Sequence, residues 1–395
     1  MPAGVSVRTV QLWETDRNLP VRRLPGIRGR ILAIPAEIDA WRTAQPALPV
    51  QTLNPNLTHA IIAITAAALG AAGMWWFSRP TPLHHHTLEN GVVYAYDKKG
   101  RVSWTFQSGS YNRSGPGAYR NNTLHADLDG DGQDELLVTL EPPNANHSIV
   151  CLNARGTVLW TRSLGRAVRT GRNTYEPPYQ SRGIELLRGF PDGVLRILAI
   201  AHHHMLHPAQ LLLLDTSGNT ISEYWHSGHL TAFSLFDVNR DGHPELIAAG
   251  INQALKTAEF LVLNPFQMTG ASTESDPNFQ IQSMPLGVEL ARAAFTRSQM
   301  DHIYSAYNLP ISITPKNASF LIDISEAGGT GRPGLSLAYD IDRRLRIAAV
   351  SPSDTFNLAQ SRLVRERKIP RVLNSAELRE QLPLRWLKRW SELPQ

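Results

Sequence analysis

The sequence predicts a mainly β protein. Three observations lead there. Residues 80–395 are dominated by short β-branched or leucine-rich runs separated by Gly, Pro, Asn and Asp. Strand–turn–strand units recur within them, with turn glycines Gly100, Gly156 and Gly218 spaced 56 and 62 residues apart. An Asp-rich nine-residue pattern occurs twice, each time running straight into an apolar strand.

Before this domain comes a small basic piece, residues 1–45. Val5–Glu14 has the pattern of a short amphipathic helix, with Val7, Val10 and Trp13 on its inner side and Ser6 as its cap. Arg8, Thr9 and Gln11 then project outward, side-chain types that reach phosphates and base edges. Arg28-Gly29-Arg30 leads from a Gly turn into the strand Ile31–Ile34, and Pro35 opens a second helix reaching Trp41. This order resembles the winged helix-turn-helix of the MerR and excisionase families. The resemblance implies DNA binding, with Ser6, Arg8, Thr9 and Gln11 on the helix that enters the major groove and Arg28 and Arg30 on the wing. The family has a further helix before "VSVRT", for which Met1–Gly4 leaves no room; an upstream start or a reduced unit would account for this.

Residues 46–57 hold three prolines and no charge and read as a linker. Residues 58–78 contain the uncharged run Ala60–Phe77, long enough for about 27 Å of helix, close to the ~30 Å hydrocarbon core. Trp75 and Trp76 followed by Arg79 suit an interfacial boundary. One transmembrane helix is therefore expected, with a cytoplasmic N-terminus, since residues 1–57 carry seven arginines against four acids.

In the large domain, Val92–Phe106, Ile149–Thr161 and Leu211–Trp225 each read as a hairpin, and Phe260–Gly270 as a shorter fourth copy. The Asp-rich loops lie between them, 110 residues apart. Oxygen ligands at positions 1, 3 and 5, a backbone carbonyl at 7 and a carboxylate at 9 can wrap one hard cation, with glycine at 6 allowing the sharp turn. The first set is Asp127, Asp129, Asp131, the carbonyl of Gln133, and Glu135. The second is Asp237, Asn239, Asp241, the carbonyl of His243, and Glu245. All-oxygen donors favour Ca²⁺ over a transition metal, so two structural Ca²⁺ ions are expected. A metal-free Asx-rich turn is the alternative. "GFPDGVLRILAIA", with only Asp192, marks a third slot, and Gly331–Leu335 a fourth. These loops resemble the FG-GAP (VCBS-type) repeats of integrin α-like β-propellers. The resemblance implies a β-propeller over residues 80–360 with structural calcium, although Phe-Gly and Gly-Ala-Pro signatures are missing. The hairpins also resemble blades of quinoprotein-type propellers.

The single cysteine, Cys151, excludes an internal disulfide framework and reads as a small core residue. His202–His204 with His207 read as exposed or polar-rim histidines, and His84–His86, just past the expected span, as a solvated linker. Residues 361–395 form a basic extension, with an amphipathic helix expected from Ser375 to Trp390 because Leu378, Leu382, Trp386 and Trp390 recur near every four residues. G-x-S-x-G, H-E-x-x-H and P-loop patterns are missing, so no catalytic residues are assigned. The sequence thus implies a membrane-tethered regulator or sensor. Its extracytoplasmic calcium-binding propeller would meet a protein or carbohydrate ligand, and its cytoplasmic segment would bind DNA. The alternative is an extracytoplasmic binding or adhesion protein whose N-terminus is only an anchor.

Overall fold

The computed structural model describes residues 7–23, 31–44, 82–110, 122–188, 190, 192–328 and 334–391. The chain divides into two units, one ending at Ser78 and the other beginning at Arg79. The expected linker and membrane span lie outside the described residues. Among the described residues no helix is long and apolar enough to cross a membrane.

In the first unit, α1 (Val7–Asp16) is followed by β1 (Arg22–Arg23), β2 (Ile31–Leu32) and α2 (Pro35–Ala44). β1 and β2 pair antiparallel, Arg22 opposite Leu32. The order of short helix, hairpin and Pro-started helix is the expected one. Leu19 is buried. The Trp13 and Trp41 rings meet at 6.1 Å, and Trp41 Nε1 donates to the Arg17 carbonyl at 2.6 Å. Arg22 pairs with Glu37 at 2.6 Å.

Among the described residues the second unit contains five antiparallel sheets of three to five strands and one two-stranded ribbon. Sheet I is β3 (His85–Glu89), β4 (Val92–Tyr96) and β5 (Val102–Gln107). Sheet II is β6 (Thr123–Ala126), β7 (Glu135–Leu140), β8 (Ser148–Leu152) and β9 (Val158–Ser163). After a short ribbon, β10 (Val168–Arg169) with β11 (Thr174–Tyr175), comes sheet III: β12 (Tyr179–Leu187), β13 (Arg196–His203), β14 (Ala209–Leu214) and β15 (Thr220–His226). Sheet IV is β16 (His229–Phe236), β17 (Glu245–Asn252), β18 (Thr257–Leu263) and β19 (Ala291–Phe295). α3 (Gln299–Tyr304) leads to sheet V: β20 (Leu309–Pro315), β21 (Ser319–Ser325), β22 (Ser336–Asp342) and β23 (Ile347–Pro352). Each sheet is an up-and-down meander, the form of a propeller blade.

Burial follows from the stacking of these sheets. The middle strands β13, β14, β17 and β18 are buried on both faces or nearly so, because neighbouring sheets cover both. In β21 and β22 burial alternates residue by residue, so sheet V hides one face. β4 alternates in the same way. Cys151 is fully buried in β8, as expected, and burial pushes its thiol up to about 12.

Several expectations are corrected. Phe260–Gly270 is not a hairpin. β18 meets its partner β19 only after residues 264–290, and within that excursion Met268 and Gly270 accept hydrogen bonds from Glu223 N and Trp225 N of sheet III. The helix from Ser375 stops early: α5 spans Ser375–Gln381, capped by Asn374 rather than Ser375. Pro383 then breaks the helical pattern, and β24 (Leu384–Lys388) pairs with the free edge of β19. With α4 (Asp354–Arg365), this tail buries Phe356, Leu363, Leu378 and Leu382 in the core shared by sheets IV and V. It packs against the propeller domain. His85 and His86 lie in β3, and His202 and His203 are buried, not on a rim.

Candidate metal centre

The two Asp-rich loops occupy equivalent places. Each joins the first strand of its sheet to the second, β6 to β7 in sheet II and β16 to β17 in sheet IV. Ala126 pairs with Glu135, and Phe236 with Glu245, so the ninth-position glutamate always faces the last residue of the first strand.

The internal bonding is nearly the same in both. Glu135 Oε2 accepts from Leu128 N at 2.9 Å, and Glu245 Oε2 from Val238 N at 2.8 Å. Asp127 Oδ2 accepts from Gly132 N at 3.0 Å, and Asp237 Oδ2 from Gly242 N at 3.2 Å. Asp129 and Asn239 each accept from the amide two residues on, as do Asp131 and Asp241. These bonds aim the acidic side chains inward. Gly132 and Gly242 sit at φ 82° and 85°, a region that side-chain-bearing residues avoid.

Oxygen atoms of Asp127, Asp129 and Glu135 lie within 4.8 Å of one another. Glu135 is almost fully buried, and burial raises its pKa, with Asp129 and Asp131 adding to the effect. Glu245 is pushed up to about 7 by burial first, then by Asp241 and Asp237. Asp237 Oδ1 is buried without a partner. In the first loop three carboxylate oxygens converge on one point from a buried, a half-buried and an exposed residue, and in the second a buried Asp237 oxygen lacks a partner; a hard cation would satisfy either, so the all-oxygen donor sets fit Ca²⁺. Gln133 and His243 stand at position 7, where a backbone carbonyl is the ligand.

The third slot lies at the equivalent turn of sheet III, where Leu187 pairs with Arg196. Arg196 stands where the other loops have glutamate, and it pairs with Asp192 at 2.7 Å. The fourth slot is not equivalent. Residues 329–333 lie outside the described residues, and Gly334 and Leu335 precede β22, between the second and third strands of sheet V.

The outer hairpins carry a second repeated device, only partly foreseen. Asp97, Asn153 and Asp215 open turns closed by Gly100, Gly156 and Gly218, all at positive φ. Sheet V repeats it at Asp342–Arg346, with Leu345 (φ 56°) in the glycine place. The missed signal was the shared D-x-x-x-R, since Arg101 pairs with Asp97 as Arg346 pairs with Asp342.

Sequence reading also missed a buried ionic cluster between sheets III and IV. Arg292 is 1% exposed and holds Glu259 through Nε at 2.7 Å and Nη2 at 2.9 Å. Nη2 also reaches Glu274 at 2.9 Å, and Nη1 the Thr273 carbonyl at 2.7 Å. His226 Nδ1 accepts from Gly228 N, so its Nε2 carries the proton shared with Glu259 at 2.7 Å. Tyr224 donates to Glu289, whose carboxyl is raised by burial. The cluster ties the 264–290 excursion to both sheets. Tyr224, His226, Glu259, Glu289 and Arg292 are buried and the Glu274 side chain is 1% exposed, which suits a structural seam better than a substrate site.

Of the expected DNA contacts, Arg8 and Gln11 are exposed on α1 and Thr9 lies on the same helix. Ser6, Arg28 and Arg30 lie outside the described residues.

Residues 90–167 match the family model of the lambda-carrageenase β-propeller domain. Similar solved structures include a protein of unknown function from Bacteroides caccae, 12% identical, covering 69% of this chain and 73% of that one with a TM-score of 0.29. Another is the Dos1 propeller, 12% identical over 67% of this chain and 65% of that one, TM-score 0.32. A third is the rhamnogalacturonan lyase YesW, 12% identical over 70% and 53%, TM-score 0.28. No curated protein matches the chain. The second unit contains a β-propeller domain.

Proposed function

We propose that this chain is a membrane-tethered regulator or sensor. Its β-propeller, of FG-GAP/VCBS type, stands outside the cytoplasm, binds Ca²⁺ through the Asp127 and Asp237 loops, and meets a protein or carbohydrate ligand. Residues 58–78 cross the membrane. The N-terminal unit is a winged helix-turn-helix in the cytoplasm, contacting DNA through Ser6, Arg8, Thr9, Gln11, Arg28 and Arg30. The observation that carries this reading is the division of the chain. A small basic unit of helix, hairpin and helix and a propeller domain lie on either side of an uncharged, Trp-bounded run. Calcium would act structurally, neutralising each loop's carboxylates so that the first two strands of the sheet stay paired. A carbohydrate ligand accords with the matched family model, which is named for a carrageenase.

The test uses the full chain in membranes and in detergent. Protease added outside the cell should remove the propeller and spare the N-terminal unit. Purified protein should retard a specific DNA site, and Arg8→Ala with Gln11→Ala should lower that affinity at two salt concentrations. Only weak, strongly salt-dependent, sequence-indifferent binding would leave the anchored binding or adhesion protein as the better reading.

A further inference from the structure

The two Asp-rich loops differ in the positive charge placed beside them. The loop of sheet II holds five acids, Asp127, Asp129, Asp131, Asp134 and Glu135, and no basic residue between them. The loop of sheet IV holds three, Asp237, Asp241 and Glu245, with Asn239 in place of an aspartate and Arg240 within the turn. The position-5 carboxylate is engaged alike in both loops, Asp241 Oδ2 by the Asn239 amide at 2.8 Å and Asp131 Oδ2 by the Gln133 amide at 3.2 Å, so the difference lies in the charges.

A second cation comes from the neighbouring sheet. Arg343 is the residue after Asp342 in the outer turn of sheet V. Its Nη1 donates to the carbonyl of Asp237, and its Nη2 donates to the Asn317 carbonyl at 3.0 Å. Its guanidinium lies 4.5 Å from the Phe236 ring centre, which fixes it at the mouth of the loop. In the corresponding outer turn of sheet III, the residue after Asp215 is Thr216, and the turn Asp215–Asn219 holds no basic residue; Trp160 Nε1 of sheet II donates to the Thr216 carbonyl at 3.1 Å. In sheet III the series goes further, because Arg196 replaces the ninth-position glutamate and neutralises Asp192 within the loop itself.

We infer that Arg343 sets the cation affinity of the sheet IV loop, so that the two loops load with Ca²⁺ in sequence, sheet II first. This rests on the calcium reading of the loops given above. Affinity in loops of this kind follows the count of charged ligands and the rigidity of the site, and a fixed guanidinium beside position 1 opposes a divalent ion by direct repulsion. The sheet IV loop is therefore the calcium-responsive one. It answers changes in calcium at concentrations where the sheet II loop is already filled, and it does so at the seam between sheets IV and V.

The experiment is calcium titration of the full chain in detergent by calorimetry, after removal of divalent ions with a chelator. Two phases are expected, with dissociation constants at least about tenfold apart. Asp127→Asn should abolish the tight phase and Asp237→Asn the weak one. Arg343→Gln should tighten the weak phase by about tenfold or more while leaving the tight phase in place. Because Arg343→Gln also loosens a seam, Thr216→Arg serves as the converse test: a guanidinium installed at the position of sheet III that corresponds to Arg343 should weaken the tight phase. Two phases of equal affinity, or a weak phase indifferent to Arg343→Gln together with a tight phase indifferent to Thr216→Arg, would overturn the inference. A tight phase lost in Asp237→Asn rather than Asp127→Asn also overturns the inference, whereas a chain that takes up no calcium, or whose two phases both survive Asp127→Asn and Asp237→Asn, overturns the calcium reading itself.

Discussion

Gly156 lies directly against the indole of Trp104: a Cβ at Gly156 would stand 2.7 Å from Trp104 Cδ2, and Trp104 Nε1 donates to the Ala154 carbonyl at 3.0 Å. The same pair recurs one sheet on, between Trp160 and Gly218. Trp104 and Trp160, in the outer strands of sheets I and II, are thus each seated on the outer turn of the next sheet.

Gly156→Ala should therefore destabilise the propeller domain on two counts, a left-handed φ and a side chain driven into an aromatic ring. The combined loss should be about 2–4 kcal/mol. Thermal unfolding of the variant would show it. Gly130→Ala, where a Cβ meets nothing within 4 Å, should lose only the part due to φ, about 1 kcal/mol.

Removal of Arg292 should be more damaging. Arg292→Ala leaves Glu259 and Glu274 buried without their cation, a loss of about 3–5 kcal/mol. Arg292→Met combined with Glu259→Gln removes both charges, and it should cost less than the sum of the two single changes. Denaturant unfolding of the four proteins gives the comparison.

Asp301 and Glu326 are both fully buried near α3, with Arg297 paired to Asp301 and Ser298 donating to Glu326. Burial pushes Glu326 up to about 7 and Asp301 up to about 6. Their pKa values are higher folded than unfolded, so the stability they contribute is complete below about pH 4 and is lost as pH rises through 6 to 7. Glu326→Gln should flatten the fall between pH 5 and 7 by about 2 kcal/mol relative to the parent chain. Melting temperatures across that range would reveal an unchanged slope if Glu326 were not the group responsible.

Calcium should raise the unfolding temperature of the full chain. At a hundredfold excess over the dissociation constant each loop adds about 2.7 kcal/mol. Asp127→Ala and Asp237→Ala should each remove part of that rise, and scanning calorimetry with and without a chelator measures it.

Much of the architecture was legible because it rests on near neighbours in the chain. The Asp127 and Asp237 loops and the turns at Gly100, Gly156 and Gly218 are each closed by bonds between residues two to seven apart. Their spacing alone therefore announces them. The turn at Asp342 was harder to see because Leu345 (φ 56°) replaces the expected glycine, leaving the D-x-x-x-R spacing as its mark in the sequence.

Contacts between distant residues left no such mark. Arg292 meets Glu259 across 33 residues, and Arg343 reaches the Asp237 loop across 106. A four-residue apolar rhythm from Ser375 to Trp390 suited a helix, yet the unpaired edge of β19 beyond Pro383 drew Leu384–Lys388 into a strand. Local spacing settles turns and loops because their hydrogen bonds close within a few residues. Which charge lies beside which loop, and which edge a tail completes, is settled only when the sheets stack, because those energies arise between segments that the chain order keeps apart.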